Sequence, residues 1–210
     1  MRRDAEALGV EAWVEAAAAA LAAGGVDAVR VEPLAARLGV TKGSFYWHFA
    51  DRQALLDAVL GAWVRSATTA IIEGVEAAEA SPVERLRALV DVTRRVDAGA
   101  RLEQAVRAWG ARAPEVRRRL EAVDAERVRY VQGLLVHAGL PKALAEPRAR
   151  LCYLALIGEA SWVTSGGAPS PPSVWRALLE ALTAPAEVAQ LRRTRTPRGT
   201  ATADRARARR

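Results

Sequence analysis

Apolar positions recur along this chain at three- and four-residue steps, in blocks that Gly or Pro interrupts about once per helix length. In the first block Val10, Trp13, Ala17 and Leu21 share a face and Gly24-Gly25 supplies a stop, which predicts a helix over 5–23. Two short helices are expected over 33–38 and 42–49. Asp51 can cap a longer one that carries Leu55, Leu56, Val59, Leu60, Trp63 and Ile71 toward residue 78. Ser81-Pro82 followed by Glu84 is a strong start signal for a helix reaching residue 97. A short segment over 102–109 and a long helix from Pro114 to Gly139 follow. The last two helices are expected over 147–164 and 172–190, around a loop at 165–171. β-branched residues never gather into alternating runs, so the fold class is all-α.

The last two segments are apolar on more than one stripe: Leu151, Leu154, Ile157 and Trp162 in the first, Val174, Trp175, Leu178 and Leu182 in the second. Such helices need cover from more than one side. Either they run through the middle of the core or they pair with a second copy of the chain.

Composition narrows the class. Of 210 residues 51% are hydrophobic, which fits a globular chain, and no run reaches the roughly 18 consecutive apolar residues of a spanning helix. The apolar run 16–23 is not a secretory leader, because Asp4, Glu6, Glu11 and Glu15 precede it. Cys152 is the only cysteine and His48 and His137 the only histidines, so no internal disulfide and no Cys/His metal site is expected, and the location is expected to be cytoplasmic. The net charge of +7 is misleading. From Gln190 onward there are eight Arg and only Asp204, so the tail holds all of the excess. Evidence for a nucleic-acid partner must therefore come from a local motif.

That motif lies at 31–56. Leu34, Ala35 and Leu38 make one face of a short helix, Gly39 stands where a left-handed residue ends it, and Val40, Phe45 and Phe49 resume a helical phase with Thr41 at the N-cap position. This is a helix-turn-helix pattern, with 41–48 as the recognition helix. With Phe45 and Phe49 inward, Lys42, Gly43, Tyr46 and Trp47 face outward and Ser44 and His48 flank them. Lys42 suits phosphate, Ser44 a base edge, Tyr46 and His48 backbone oxygens, Trp47 a sugar or thymine methyl, and Gly43 close approach. Lys42 is one of only two lysines among 31 basic side chains. Burying the whole aromatic cluster would require a helix enclosed all round.

The run Leu38-Gly39-Val40-Thr41-Lys42-Gly43-Ser44-Phe45-Tyr46-Trp47-His48-Phe49, with Asp51-Arg52 and Leu55-Leu56 after it, resembles the DNA-binding domain of the TetR family of bacterial regulators. The resemblance implies phosphate contacts from Thr41 and Tyr46, base contacts from Lys42, Gly43 and Ser44, groove contacts from Trp47 and His48, and a phosphate clamp at Arg52. Arg30 and Val31 stand where the family usually has a Ser or Thr cap, which makes Arg30 either a further phosphate contact or a solvated side chain. The resemblance further implies a helix-turn-helix domain over 1–50 and a helical effector-binding and dimerisation domain over 51–190, joined by the long fourth helix. A basic tail at 191–210 is expected to be disordered.

On that reading the partners are a double-stranded DNA operator, a second copy through the last two helices and a small-molecule effector, with no cofactor, metal or membrane. Candidate effector contacts are Trp63, Trp109, Tyr130, Tyr153 and Trp162, also His137, with Arg94, Arg101 and Glu103 as polar partners. The function expected is a ligand-responsive regulator, a repressor released from a palindromic operator. The alternative is non-specific nucleic-acid binding through the Arg tail. An enzyme is not expected, since phosphate-loop, H-E-x-x-H and G-x-S-x-G motifs are all missing.

Overall fold

A computed structural model describes residues 9–77, 80–94 and 98–185, and among them the chain forms α-helices with no strand. The basic tail expected at 191–210 lies outside these residues. Helix α1 (Val10–Gly24) is followed by a 3-10 turn at Val26–Ala28, then α2 (Val31–Leu38) and α3 (Lys42–Phe45). Then come α4 (Arg52–Val64), a π-helical turn at Arg65–Thr69 and α5 (Ala70–Glu76), which together form one continuous helix. The chain continues through α6 (Pro82–Thr93), α7 (Ala98–Gly110), α8 (Pro114–His137), α9 (Lys142–Thr164) and α10 (Pro172–Thr183).

Local chemistry explains most of these ends. The Asp51 carboxylate accepts from the Ala54 N–H at 2.8 Å and starts α4. Ser81 and Glu84 cap each other reciprocally at the start of α6, with Pro82 in the first turn. Proline punctuation misleads at one place: Pro147 was expected to open a helix, but α9 begins at Lys142 and holds Pro147 inside it. The backbone bond that Pro147 forfeits is offset because Ala145 and Ala149 on either side are buried in the core. The Arg148 guanidinium in the next position donates to the carbonyls of Leu182 at 2.9 Å and Ala184 at 2.6 Å, closing the end of α10.

Two hydrophobic cores result. The first gathers Trp13, Leu21, Leu34, Phe45, Leu56 and Trp63 and continues into α7 and the start of α8 through Val106, Trp109 and Leu120. The second joins α5, α6, α9, α10 and the end of α8 through Val75, Leu86, Leu135, Cys152 and Trp175. The first core does not stop at residue 50, and α1 and α4 pack directly on α7. The helix over Arg52–Glu76 is long and apolar enough to cross a membrane by length and composition alone; here its inner face supplies both cores.

Candidate DNA-reading face and ligand cavity

Gly39 takes a left-handed conformation, φ 69°, where α2 ends, and the Val40 N–H returns to the Ala35 carbonyl at 3.0 Å. A side chain at Gly39 would strain that turn. The α-helical part of the next element is only Lys42–Phe45. It then tightens, with Tyr46, Trp47 and His48 each donating to a carbonyl three residues back. The recognition element is thus shorter as an α-helix than the expected 41–48.

Phe45 fixes its orientation. Its ring is fully buried, edge-on to Trp13 at 5.3 Å and stacked on Phe49 at 5.4 Å. With Phe45 and Phe49 inward, Tyr46 is left 55% exposed and Trp47 88% exposed. Thr41, Lys42, Gly43 and His48 are exposed too and Ser44 is half-buried, so the face read from the sequence stands open to solvent. Thr41 occupies the N-cap position, but its hydroxyl makes no capping bond there. Arg30 likewise sits at the N-cap of α2 without a side-chain cap, and it is exposed.

Two partners were not legible beforehand. Lys42 is paired with Glu32 across the turn, Nζ to Oε1 at 2.6 Å. The pair is exposed, and each charge favours ionisation of the other. Arg52, expected to clamp phosphate, is half-buried and turned inward: its Nε donates to the Val29 carbonyl at 2.6 Å and its Nη2 to the Val26 carbonyl. Both are carbonyls of the turn between α1 and α2, and the Val26 oxygen also accepts from the Val29 N–H at 3.2 Å, so Arg52 ties the start of α4 to the entry of the helix-turn-helix.

A second feature lies between α5, α6, α7, α8 and α9. A cavity of about 390 Å³ is walled largely by aliphatic side chains, among them Ile71, Leu89, Val131 and Ile157, within the usual size of a small-molecule site. One end is ionic. Arg127 of α8 donates to Glu103 of α7 from both Nη1 (3.0 Å) and Nη2 (3.1 Å). It also donates from Nε to the Thr68 hydroxyl at 2.9 Å and from Nη2 to the Ala67 carbonyl at 3.2 Å, both in the π turn. Glu103 further accepts from Trp63 Nε1 at 3.0 Å and Arg107 Nε at 2.9 Å. Arg107 forks onto Asp124, and the Tyr153 hydroxyl donates to Asp124 while accepting from Arg107 at 2.6 Å.

Burial governs the ionisation of this network, and the pairing answers it. Burial alone would raise the Asp124 carboxyl, but hydrogen bonds from Arg107 and Tyr153 outweigh it and hold Asp124 below the usual carboxylate range. Burial, helped by Asp124, pushes the Tyr153 phenol up to about 12. Arg127 would be depressed by burial, yet Glu103 raises it, so it keeps its charge.

Comparison with known proteins bears first on the helix-turn-helix. Residues 14–59 match the family model described as bacterial regulatory proteins, tetR family. The N-terminal domain is that of a TetR-family regulator. The fold agrees over the rest of the chain. A transcriptional regulator from Rhodococcus sp. Rha1 superposes with a TM-score of 0.65 at 22% identity, covering 83% of this chain and 91% of that one. A TetR-family regulator from Rhodococcus sp. gives 0.63 at 24%, covering 82% and 95%. One of the TetR/AcrR family from Thermobifida fusca gives 0.61 at 22%, covering 84% and 97%. No curated protein matches by sequence.

In this chain, then, the DNA-facing candidates other than Arg52 are open to solvent, Ser44 partly so. The effector candidates scatter. Glu103, Tyr130 and Tyr153 line the cavity. Trp63 lies behind it as a buried donor to Glu103, and Trp109 belongs to the first core. Trp162 is 60% exposed and bonds the Ala168 carbonyl, while Arg101 and His137 are exposed away from the cavity. Arg94 pairs with Asp91 beside a separate groove between α6 and α10. The scatter has one cause: most of these rings and cations went to the cores or to solvent, and aliphatic and small residues form most of the cavity wall. Arg107, Asp124 and Arg127 were missed. Arg127 did leave a trace, since it falls in phase with Val123, Val131 and Leu134 on the apolar stripe of α8, where a charge needs a partner.

Proposed function

We propose that the protein is a homodimeric, ligand-responsive repressor acting in the cytoplasm, which binds a palindromic operator and releases it when a small molecule fills the α5–α9 cavity. The DNA contacts are assigned to Arg30, Thr41, Lys42, Gly43, Ser44, Tyr46, Trp47 and His48. Two copies would enter successive major grooves roughly 34–36 Å apart. The observation that carries the ligand-responsive part is the grip of Arg127 on the π turn: a cavity-lining side chain holds the helix whose other end carries the recognition element. A ligand that shifts Arg127 moves α4, and differential binding on the order of 1–3 kcal/mol suffices to regulate.

The outer stripe of α9 supports dimerisation through the last two helices. Leu151 is 59% and Leu154 55% exposed, with Trp162 further along the same face and Val174 on α10. Apolar area of that kind on a DNA-binding protein suits a second copy. Sedimentation of Leu151→Arg/Leu154→Arg is expected to give monomers that lose operator affinity; a dimer that persists refutes the interface. For the whole reading, an operator selected from random-sequence duplexes by the intact protein is expected to be an inverted repeat. A non-repeating or sequence-indifferent selection refutes it.

A further inference from the structure

Resting on the reading of the α5–α9 cavity as the effector site, we infer that it takes a neutral, mainly apolar molecule bearing a hydroxyl or carbonyl oxygen at one end, and rejects carboxylates and ammonium ions. Every ionic group at its polar end is already used. Arg127 spends its five donors on Thr68, Ala67, Tyr153 and both oxygens of Glu103. Glu103 accepts two hydrogen bonds on each oxygen, from Arg107 and Arg127 on one and from Trp63 and Arg127 on the other. Arg107 and Arg127 balance Glu103 and Asp124, so the end carries no net charge among the described residues.

An incoming carboxylate would have to take donors from Glu103 and would leave two buried acids competing for one guanidinium. An ammonium would meet the mirror problem at Arg127. Either leaves a buried charge uncompensated. What remains for a ligand are neutral hydroxyls. Thr68, Ser66 and Thr93 line the cavity; Ser66 and Thr93 each direct their proton to a backbone carbonyl and keep oxygen lone pairs, and Thr68 accepts from Arg127 and has its proton to give. Tyr130 gives its proton to Glu76 and, like Ser66 and Thr93, can only accept from a ligand.

The test is calorimetric titration of the intact protein at neutral pH with three ten-carbon probes, 1-decanol, decanoate and decylammonium, below their aggregation concentrations. Decanol is expected to bind at least ~10-fold more tightly than either ion. Decanoate or decylammonium binding as tightly as decanol, or no binding of decanol, overturns the inference. Location is checked with Ile71→Trp and Ile157→Trp, each filling the cavity from a different helix. Decanol affinity is expected to fall at least ~5-fold in whichever variant keeps its helicity and melting temperature. Undiminished affinity in a folded variant overturns it as well. Operator release measured with the same probes separates the two readings: decanol that binds selectively but leaves the DNA complex intact removes the ligand-responsive function and leaves the ligand class standing.

Discussion

Replacing Trp47 with Ala separates reading from folding. The Trp47 side chain is 88% exposed, so about a tenth of its ~250 Å² is covered, and at ~25 cal/mol per Å² its loss costs under about 1 kcal/mol of stability. The neighbouring change Phe45→Ala removes a ring with no exposure that contacts Trp13 and Phe49, and should cost about 3–5 kcal/mol. For DNA the order reverses in kind. A buried aromatic contact in the groove is worth about 2 kcal/mol, or ~30-fold per half-site, and a dimer compounds it. Because the contact is apolar, the dependence of affinity on salt should be unchanged, whereas Lys42→Ala should make it shallower. Urea unfolding gives the first quantity, and fluorescence anisotropy on the selected operator across a salt series gives the others. Trp47→Ala affinity within about threefold of the parent, or a stability loss above about 2 kcal/mol, would refute the assignment of this face to DNA.

A Cβ at Gly43 would meet only the Thr41 hydroxyl at 3.6 Å, so Gly43→Ala should fold at least as stably by thermal melting yet bind operator more weakly; retained affinity would show that nothing approaches Gly43 closely. Glu32→Gln frees Lys42 and should tighten operator binding roughly threefold at low salt, with the gain fading at high salt. Arg127→Met leaves Glu103 short of its main partner and should cost about 3–5 kcal/mol, seen as a melting temperature lowered by on the order of 10 °C. Asp124 is held below the usual carboxylate range, so its contribution is complete above about pH 4 and is lost as pH falls through the lower folded value; in Asp124→Asn, unfolding free energy should vary less with pH in that acid window.

The helix-turn-helix was legible because its constraints are local. A glycine forced left-handed at Gly39, two inward rings four residues apart at Phe45 and Phe49, and the cap at Asp51 all act within one or two turns. The cavity was not, because it is what several distant helices leave unfilled. Its aliphatic wall has the same periodicity as any core, and the rings that drew attention, Trp63 and Trp109, went to the first core instead. The π turn at Arg65–Thr69 is equally silent, since residues on both sides of it keep an apolar helical pattern. The inward turn of Arg52 depends on carbonyls at Val26 and Val29 that only the folded turn presents.

The π turn also bears on how the gene can change length. One such turn takes up a single residue more than an α turn before returning to the same direction around the helix axis. A gene one codon shorter at 65–69 would therefore encode a straight helix in which Val59 and Val75 still face their respective cores. What would disappear is the ledge formed by Ala67 and Thr68, on which Arg127 rests. On the proposed function, such a deletion would cost some stability, because the buried Arg127 would lose two acceptors, and would cost regulation more: a chain that still recognises its operator and no longer responds to its ligand.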